Sequence, residues 1–217
     1  MKKLIILGGR GIGMIAASVA NDLGDYEVLG FLNDFVPIGD KIGKFKGYNV
    51  IGHSSDVTKY LEDENVCFFI GYVGIKSEKE VFEKILNLGI PSNRFATLIH
   101  PTAIIPKGFC QIGNGVLMAP LSQLSPDTTI EDNCILLPNS FLGHDSTMKR
   151  FSHITSNSVV GGNVIIGKAA HIGTNATIRE NVVIGDFSLV GSGSVVLNNV
   201  PENTIVAGNP ARIIRTK

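Results

Sequence analysis

The sequence predicts an α/β domain over residues 1–100 followed by a three-sided parallel β coil over residues 101–217, and three observations predict it. Residues 109–198 divide without a gap into fifteen hexads, beginning FCQIGN, GVLMAP, LSQLSP and ending NVVIGD, FSLVGS, GSVVLN. The fourth residue of every hexad is Ile, Val, Leu or Met, the second is always Cys, Val, Ser, Thr or Ala, and the fifth is Gly in seven. Before the repeat, residues 2–89 alternate aliphatic runs with a glycine turn and helical patterns.

A period of six fits neither an α-helix nor a simple alternating strand, and it is the mark of a solenoid. Three short strands per turn give a coil of eighteen residues, so fifteen hexads make five coils. The fourth residue fills the interior, the small second residue fits a cramped corner, and the fifth-position glycines are expected to supply corner conformations that a Cβ would resist.

In the first hundred residues, "KKLIILGG" reads as a buried strand, "GRGIGMIAASVANDLG" as a glycine turn opening a helix, and "YEVLGFLND" and "VCFFIGY" as further strands. "SEKEVFEKILNLG" reads as an amphipathic helix closed by Gly89. Alternating strand and helix implies a small parallel sheet of Rossmann type. Residues 91–105 connect the two domains, with His100 and Pro101 at the entry to the coil.

Composition narrows the function. The chain is 44% hydrophobic and 18% charged with a formal net charge of zero, which gives no basic field for nucleic acid and no polybasic run for an anionic membrane. The apolar run after "MKK" is too short for a signal peptide, and no stretch reaches membrane-spanning length. Three cysteines, Cys67, Cys110 and Cys134, have no metal-ligand spacing and suit a reducing cytoplasm. Small molecules and copies of the same chain are the expected partners.

Chemistry concentrates where the repeat carries histidines. With eighteen residues per coil, His144 lies beneath Gly162, one strand spacing of about 4.8 Å away. His153 stacks on His171 at the outward third position, and Ser156, Thr174 and Ser192 form another file. A cofactor arm running parallel to the axis would meet such files in turn. His144 is followed by Asp145 and sits one coil from the only Gly-Gly pair in the repeat. A base, an orienting carboxylate and a backbone N–H are what acyl transfer to an amine or hydroxyl requires. His171 reads instead as part of a stacking ladder, and His53 and His100 as structural. In the first domain, Gly8, Gly9, Gly11 and Gly13 form either a phosphate cradle at a helix N-terminus or a tight turn that binds nothing. Asn33 and Asp34 end a strand, where an open α/β sheet has its ligand crevice.

A short Rossmann-like domain joined through "LIHPTAII" to hexads containing "GHD", "FSHI" and "GGNVIIG", with a terminal "VAGNPAR", resembles the NeuD/PglD-type sugar acetyltransferases. The resemblance implies that the coil is a left-handed parallel β-helix and that the protein is a homotrimer. It implies acetyl-CoA bound between neighbouring β-helices and a nucleotide-linked aminosugar held by the N-terminal domain, in bacterial glycan biosynthesis. On it, His144 matches the general base and Asp145 its acidic partner. His153 and the Gly162 N–H match contacts near the thioester, and Thr174 and Ser192 line the pantetheine arm. Gly11, Ile12, Gly13, Asn33, Asp34 and Gly74 match the nucleotide-sugar site. Two positions depart from relatives. This chain has "GIG" where many have "GHG", and Leu137 where some N-acetyltransferases have Asn seven residues before the base.

The expected mechanism is direct transfer from acetyl-CoA without a covalent intermediate or a metal. Cys110 and Cys134 occupy the cramped second position and make poor nucleophiles. Other readings are O-acetylation of a sialic-acid-like sugar, a metal-dependent lyase of the γ-carbonic-anhydrase kind using His144, His153 and His171, and a non-catalytic nucleotide-sugar-binding trimer. The residues name neither the sugar nor its nucleotide.

Overall fold

A computed structural model of the chain describes residues 1–72 and 78–217; Gly74 lies outside the described residues. The chain forms two compact units, Met1–Pro101 and Thr102–Lys217.

In the first unit, β1 (Lys2–Leu7), β2 (Tyr26–Leu32), β3 (Lys41–Ile42), β4 (Tyr48–Gly52) and β5 (Val66–Ile70) form one sheet in the order β3-β4-β2-β1-β5. All neighbours are parallel except β3 and β4. The aliphatic core of β1 and the whole of β5 are buried, as expected of strands covered on both faces. The helices are α1 (Ile12–Leu23), α2 (Val57–Leu61) and α3 (Glu78–Asn87). α1 closes at Gly24, whose left-handed backbone, φ 73°, lets its N–H reach the Ala20 carbonyl. Chain order runs outward from β1 through β2 to β4 and returns to β5 beside β1. The sheet therefore reverses between β1 and β5, the place where open α/β sheets take ligands.

The sequence reading found β1, β2, β5, α1 and α3, but not the β3–β4 hairpin or α2. The stretch "GDKIGKFKGYNV" mixes glycine and lysine with isolated apolar residues, so no period of two stands out.

The second unit is a left-handed parallel β-helix with three faces. One face stacks Cys110–Ile112, Thr128–Ile130, Thr147–Met148, Ile165–Ile166 and Val183–Ile184. The next stacks Leu117–Met118, Ile135–Leu136, His153–Ile154, His171–Ile172 and Leu189–Val190, topped by Thr204–Gly208 and the antiparallel strand Ala211–Thr216. The third stacks Gln123–Leu124, Phe141–Leu142, Val159–Val160, Thr177–Ile178 and Val195–Val196. Phe141 pairs with Val159 and His153 with His171, an offset of eighteen residues. Fourth-position side chains from Leu124 to Val196 fill the interior. Second-position serines are fully buried and several bond to corner backbone, as Ser158 Oγ donates to the Gly173 carbonyl at 2.8 Å, whereas Ser140 Oγ has no partner among the described residues.

One expectation is corrected. The left-handed corner residues are not the fifth-position glycines but the first residues of the hexads. Their φ values run from 52° to 61° at Leu121, Asp127, Asn133, Asn139, Asp145, Phe151, Asn157, Asn163, Ala169, Asn175, Asn181 and Phe187. Asn and Asp tolerate this region through local hydrogen bonding, which explains their frequency there. The fifth-position glycines answer a different need, for space. A Cβ at Gly143 would lie 2.5 Å from the backbone of Gly161, and one at Gly167 2.6 Å from that of Asp186. At these two positions the coils approach too closely for a side chain.

Candidate functional site

The third and first faces of the β-helix meet at a corner that carries His144, Gly162 and Glu180 in three successive coils. Asp145 holds the left-handed position there, φ 57°, which turns its side chain back beside its neighbour. His144 Nδ1 and Asp145 Oδ2 are 2.7 Å apart. With Nδ1–H donating to the carboxylate, the neutral ring carries its lone pair on Nε2. Both side chains are more than half exposed, at 67% and 60%.

The ring lies over Gly162. A Cβ built there would sit 2.6 Å from both Cε1 and Nε2 of His144. The Gly-Gly pair thus has two separate causes. Gly161 must be glycine because a Cβ would strike the Glu180 backbone nitrogen at 2.7 Å, and Gly162 because a side chain would occupy the imidazole's place. Neither glycine adopts a positive φ.

Where the sixth residue of a hexad is not proline, its N–H stays out of the backbone ladder between coils. Where the first face meets the second, carboxylates cap three of these groups. Asp132 accepts from Asn114, Glu131 from Arg150 and Asp186 from Lys168, at 2.8, 3.0 and 2.8 Å. Among the described residues the Gly162 N–H has no such cap, nor do those of Ser156, Thr174 and Ser192. Among the described residues the N–H groups of His144, Glu180 and Asp186 are likewise uncapped.

Within one chain these groups are not gathered at one point. His144, Asp145 and Gly162 share one corner, whereas Thr174 and Ser192 share the corner at the opposite edge of the third face. Thr174 Oγ1 lies 3.3 Å from Thr155 Oγ1, and Ser192 is exposed. His153 belongs to the second face, its ring edge-on to His171 with centroids 5.9 Å apart. Burial lowers the pKa of His153 to about 3, helped by His171, and that of His171 to about 4, helped by Lys217. Both rings are neutral near pH 7, and His171 Nδ1 is buried without a partner. Among the described residues, no three His, Cys, Asp or Glu side chains are grouped to hold a metal ion. Burial also pushes the Cys134 thiol up to about 12, which keeps it protonated.

In the first unit the glycines of the loop after β1 are mostly explained by packing. A Cβ at Gly8 would meet the Gly71 backbone at 2.9 Å, one at Gly9 the Asn33 amide at 2.8 Å, and one at Gly13 the Phe31 ring at 2.9 Å. Gly11, with φ 75° and open space around it, precedes Ile12 at the start of α1. Asn33 is buried and does not present its amide to a crevice, contrary to expectation. Its Nδ2 donates to the Gly8 carbonyl at 2.6 Å, and its Oδ1 accepts from the N–H groups of Phe35 and Val36 at 2.8 Å each. It ties the glycine loop to the end of β2.

Asp34 stands at the mouth. It accepts from the Ser54 N–H at 2.8 Å, from the Ser54 hydroxyl and from Lys84 of α3. Burial alone would raise its pKa, but the bonds from Lys84 and Ser54 outweigh that and lower it to about 2. Lys84 Nζ also lies 5.4 Å from the centre of the Tyr72 ring, whose buried hydroxyl lies beside the Ser54 side chain. The sequence reading missed Ser54, Tyr72 and Lys84. Lys84 sits among Glu80 and Glu83 and reads as a solvated helix face, and only the polar Tyr72 ending the apolar run of β5 gave a signal.

Comparison with known proteins follows the same division. Residues 3–85 match the PglD N-terminal domain, and residues 163–198 match the bacterial transferase hexapeptide (six repeats). The acetyltransferase domain of PglB from Neisseria gonorrhoeae FA1090 is 27% identical with a TM-score of 0.84, over 99% of this chain and 100% of that one. The same domain in complex with acetyl coenzyme A also gives 27% and 0.84, over 98% and 99%. A mutant perosamine N-acetyltransferase from Caulobacter crescentus, in complex with CoA and GDP-perosamine, shares the fold at 22% identity and a TM-score of 0.84, over 99% and 98%. No curated protein sequence matches the chain significantly. Among the described residues, no helix is long and apolar enough to cross a membrane.

Proposed function

We propose that this chain, which belongs with the NeuD/PglD-type sugar acetyltransferases and uses acetyl-CoA, N-acetylates a nucleotide-linked amino-dideoxysugar in the cytoplasm with His144 as general base. The observation that carries the reading is the His144–Asp145 pair at 2.7 Å with its ring over an uncapped Gly162 N–H. Neutral Nε2 takes a proton from the substrate amine as the amine attacks the thioester carbonyl. Asp145 fixes the tautomer and stabilises the imidazolium that forms. The Gly162 N–H faces the developing oxyanion, a fixed dipole that needs no reorganisation. CoA thiolate leaves, and no enzyme nucleophile is required.

A homotrimer with its site between neighbouring β-helices fits the separation of Thr174 and Ser192 from His144 across a face. One chain's arm-binding file then serves its neighbour's base, with His153 as a neutral contact near the thioester. The first unit holds the nucleotide sugar at the mouth formed by Gly11, Ile12 and Asp34, with Gly13 packing the helix behind it. Expected of His144→Ala is a fall in kcat of about 10² to 10⁴, the usual contribution of a general base, with acetyl-CoA binding kept. The assay follows thiol release from acetyl-CoA with UDP-, GDP- and dTDP-linked aminosugars. Activity within a few-fold of wild type removes His144 from the role.

A further inference from the structure

Asp34, Ser54, Tyr72 and Lys84 come from the ends of β2, β4 and β5 and from α3, and their arrangement is closed in a particular way. The Asp34 carboxylate is occupied by both donors of Ser54 and by the Lys84 ammonium. Ser54 cannot leave without breaking the turn it begins. Lys84 can, because its side chain is long, half-exposed and anchored only at its tip. Beside it the Tyr72 hydroxyl is buried against the Ser54 side chain, with the Lys84 ammonium near its ring. The glycine loop adjoins this cluster, since a Cβ at Gly8 would touch the Tyr72 backbone nitrogen at 3.3 Å.

Asp34 also stands twenty-one residues beyond Gly13 at the end of the second strand. An acidic residue about 20 residues past a glycine loop accepts from ribose hydroxyls in sheets of this type. We propose that the Asp34–Lys84 pair is a latch opened by a ribonucleotide: the ribose diol takes the Asp34 oxygen from Lys84, and the freed ammonium moves to the ligand's phosphates. This rests on the nucleotide-sugar reading above and narrows it to ribonucleoside diphosphates over their 2′-deoxy counterparts. Glu80 and Glu83 flank the outer side of Lys84 in a cleft with Ser54, Ser55 and Asn87. They repel phosphate there, so the diphosphate lies toward the glycine loop.

The test is calorimetric titration of the full chain with UDP, GDP, dUDP, dGDP, uridine and guanosine. Wild type should favour the ribo form of the preferred diphosphate by about tenfold, one charge-assisted hydrogen bond, and Asp34→Asn should erase that preference. In Lys84→Met, the nucleoside should bind at least as well as in wild type, while the advantage of diphosphate over nucleoside falls by about tenfold. A merely structural lysine would weaken both ligands alike. Equal binding of ribo and deoxy forms overturns the diol contact, and an unchanged diphosphate advantage in Lys84→Met overturns the latch. If wild type binds none of the diphosphates, the nucleotide-sugar reading itself fails and the latch with it. Melting curves of both variants confirm that they are folded.

Discussion

Replacing Gly162 with alanine separates catalysis from stability. The new Cβ would stand 2.6 Å from Cε1 and Nε2 of His144, and ordinary contact begins near 3.4 Å, so the ring must retreat by about 0.8 Å. Its obstacle is the tip of an exposed side chain and not backbone, and φ at residue 162 lies outside the left-handed region, so the fold absorbs the change easily. The Gly162 N–H stays in place. Displacing a catalytic group by about 1 Å costs on the order of 10²-fold in rate. Gly162→Ala should therefore lower kcat by about 10² while the melting temperature stays within a few degrees of wild type, since Gly→Ala at a compatible site changes stability by only about 0.4–1 kcal/mol. Steady-state thiol release and a thermal melt on the same preparation decide it. Wild-type kcat at an unchanged melting temperature would refute the claim that the imidazole works from its place against this glycine.

The other expectations follow from contacts already given. Gly161→Ala should do the reverse and lower the melting temperature, because its Cβ meets the Glu180 backbone, at 2.7 Å, which cannot swing away; an unchanged melt would contradict the close packing of coils. Asn33→Ala leaves the Phe35 and Val36 N–H groups and the Gly8 carbonyl unpaired and should cost about 2 kcal/mol or more in denaturant unfolding. His153 and His171 have folded pKa values of about 3 and 4, below the ordinary 6.5, so between pH 6.5 and 4 the unfolded chain binds more protons than the folded one. Stability should then fall as pH falls through that window, by up to about 1.4 kcal/mol per pH unit for each ring, and His171→Leu should flatten the slope. Light scattering should give a mass near three protomers, and a fully active monomer would remove the intersubunit site.

Much of this site could be read from the letters because the repeat converts sequence distance into spatial distance. Once the fourth and second positions established the period, adding eighteen to His144 arrived at Gly162. What failed was the cause assigned to particular residues. Glycine at the fifth position and Asn or Asp at the first both suggest corners, and only coordinates show that the first turns the chain while the fifth makes room for the next coil. In the α/β unit no such ruler exists. Asn33 and Asp34 are adjacent and equally polar, yet one is consumed inside the loop and the other stands at the mouth. Lys84 became visible only when α3 brought it across the sheet to Asp34, fifty residues away along the chain.

The offset of eighteen also makes chain length in the β-helix a quantised variable. One residue added between Ser146 and Gly161 would slide every later hexad by a position, pushing interior aliphatics outward and carrying Gly162 off the histidine beneath it. A whole added turn inserted above Asn198 would lengthen the prism without disturbing any vertical relation below. A frame error of a single residue inside the prism, by contrast, breaks the stack of His144 and Gly162.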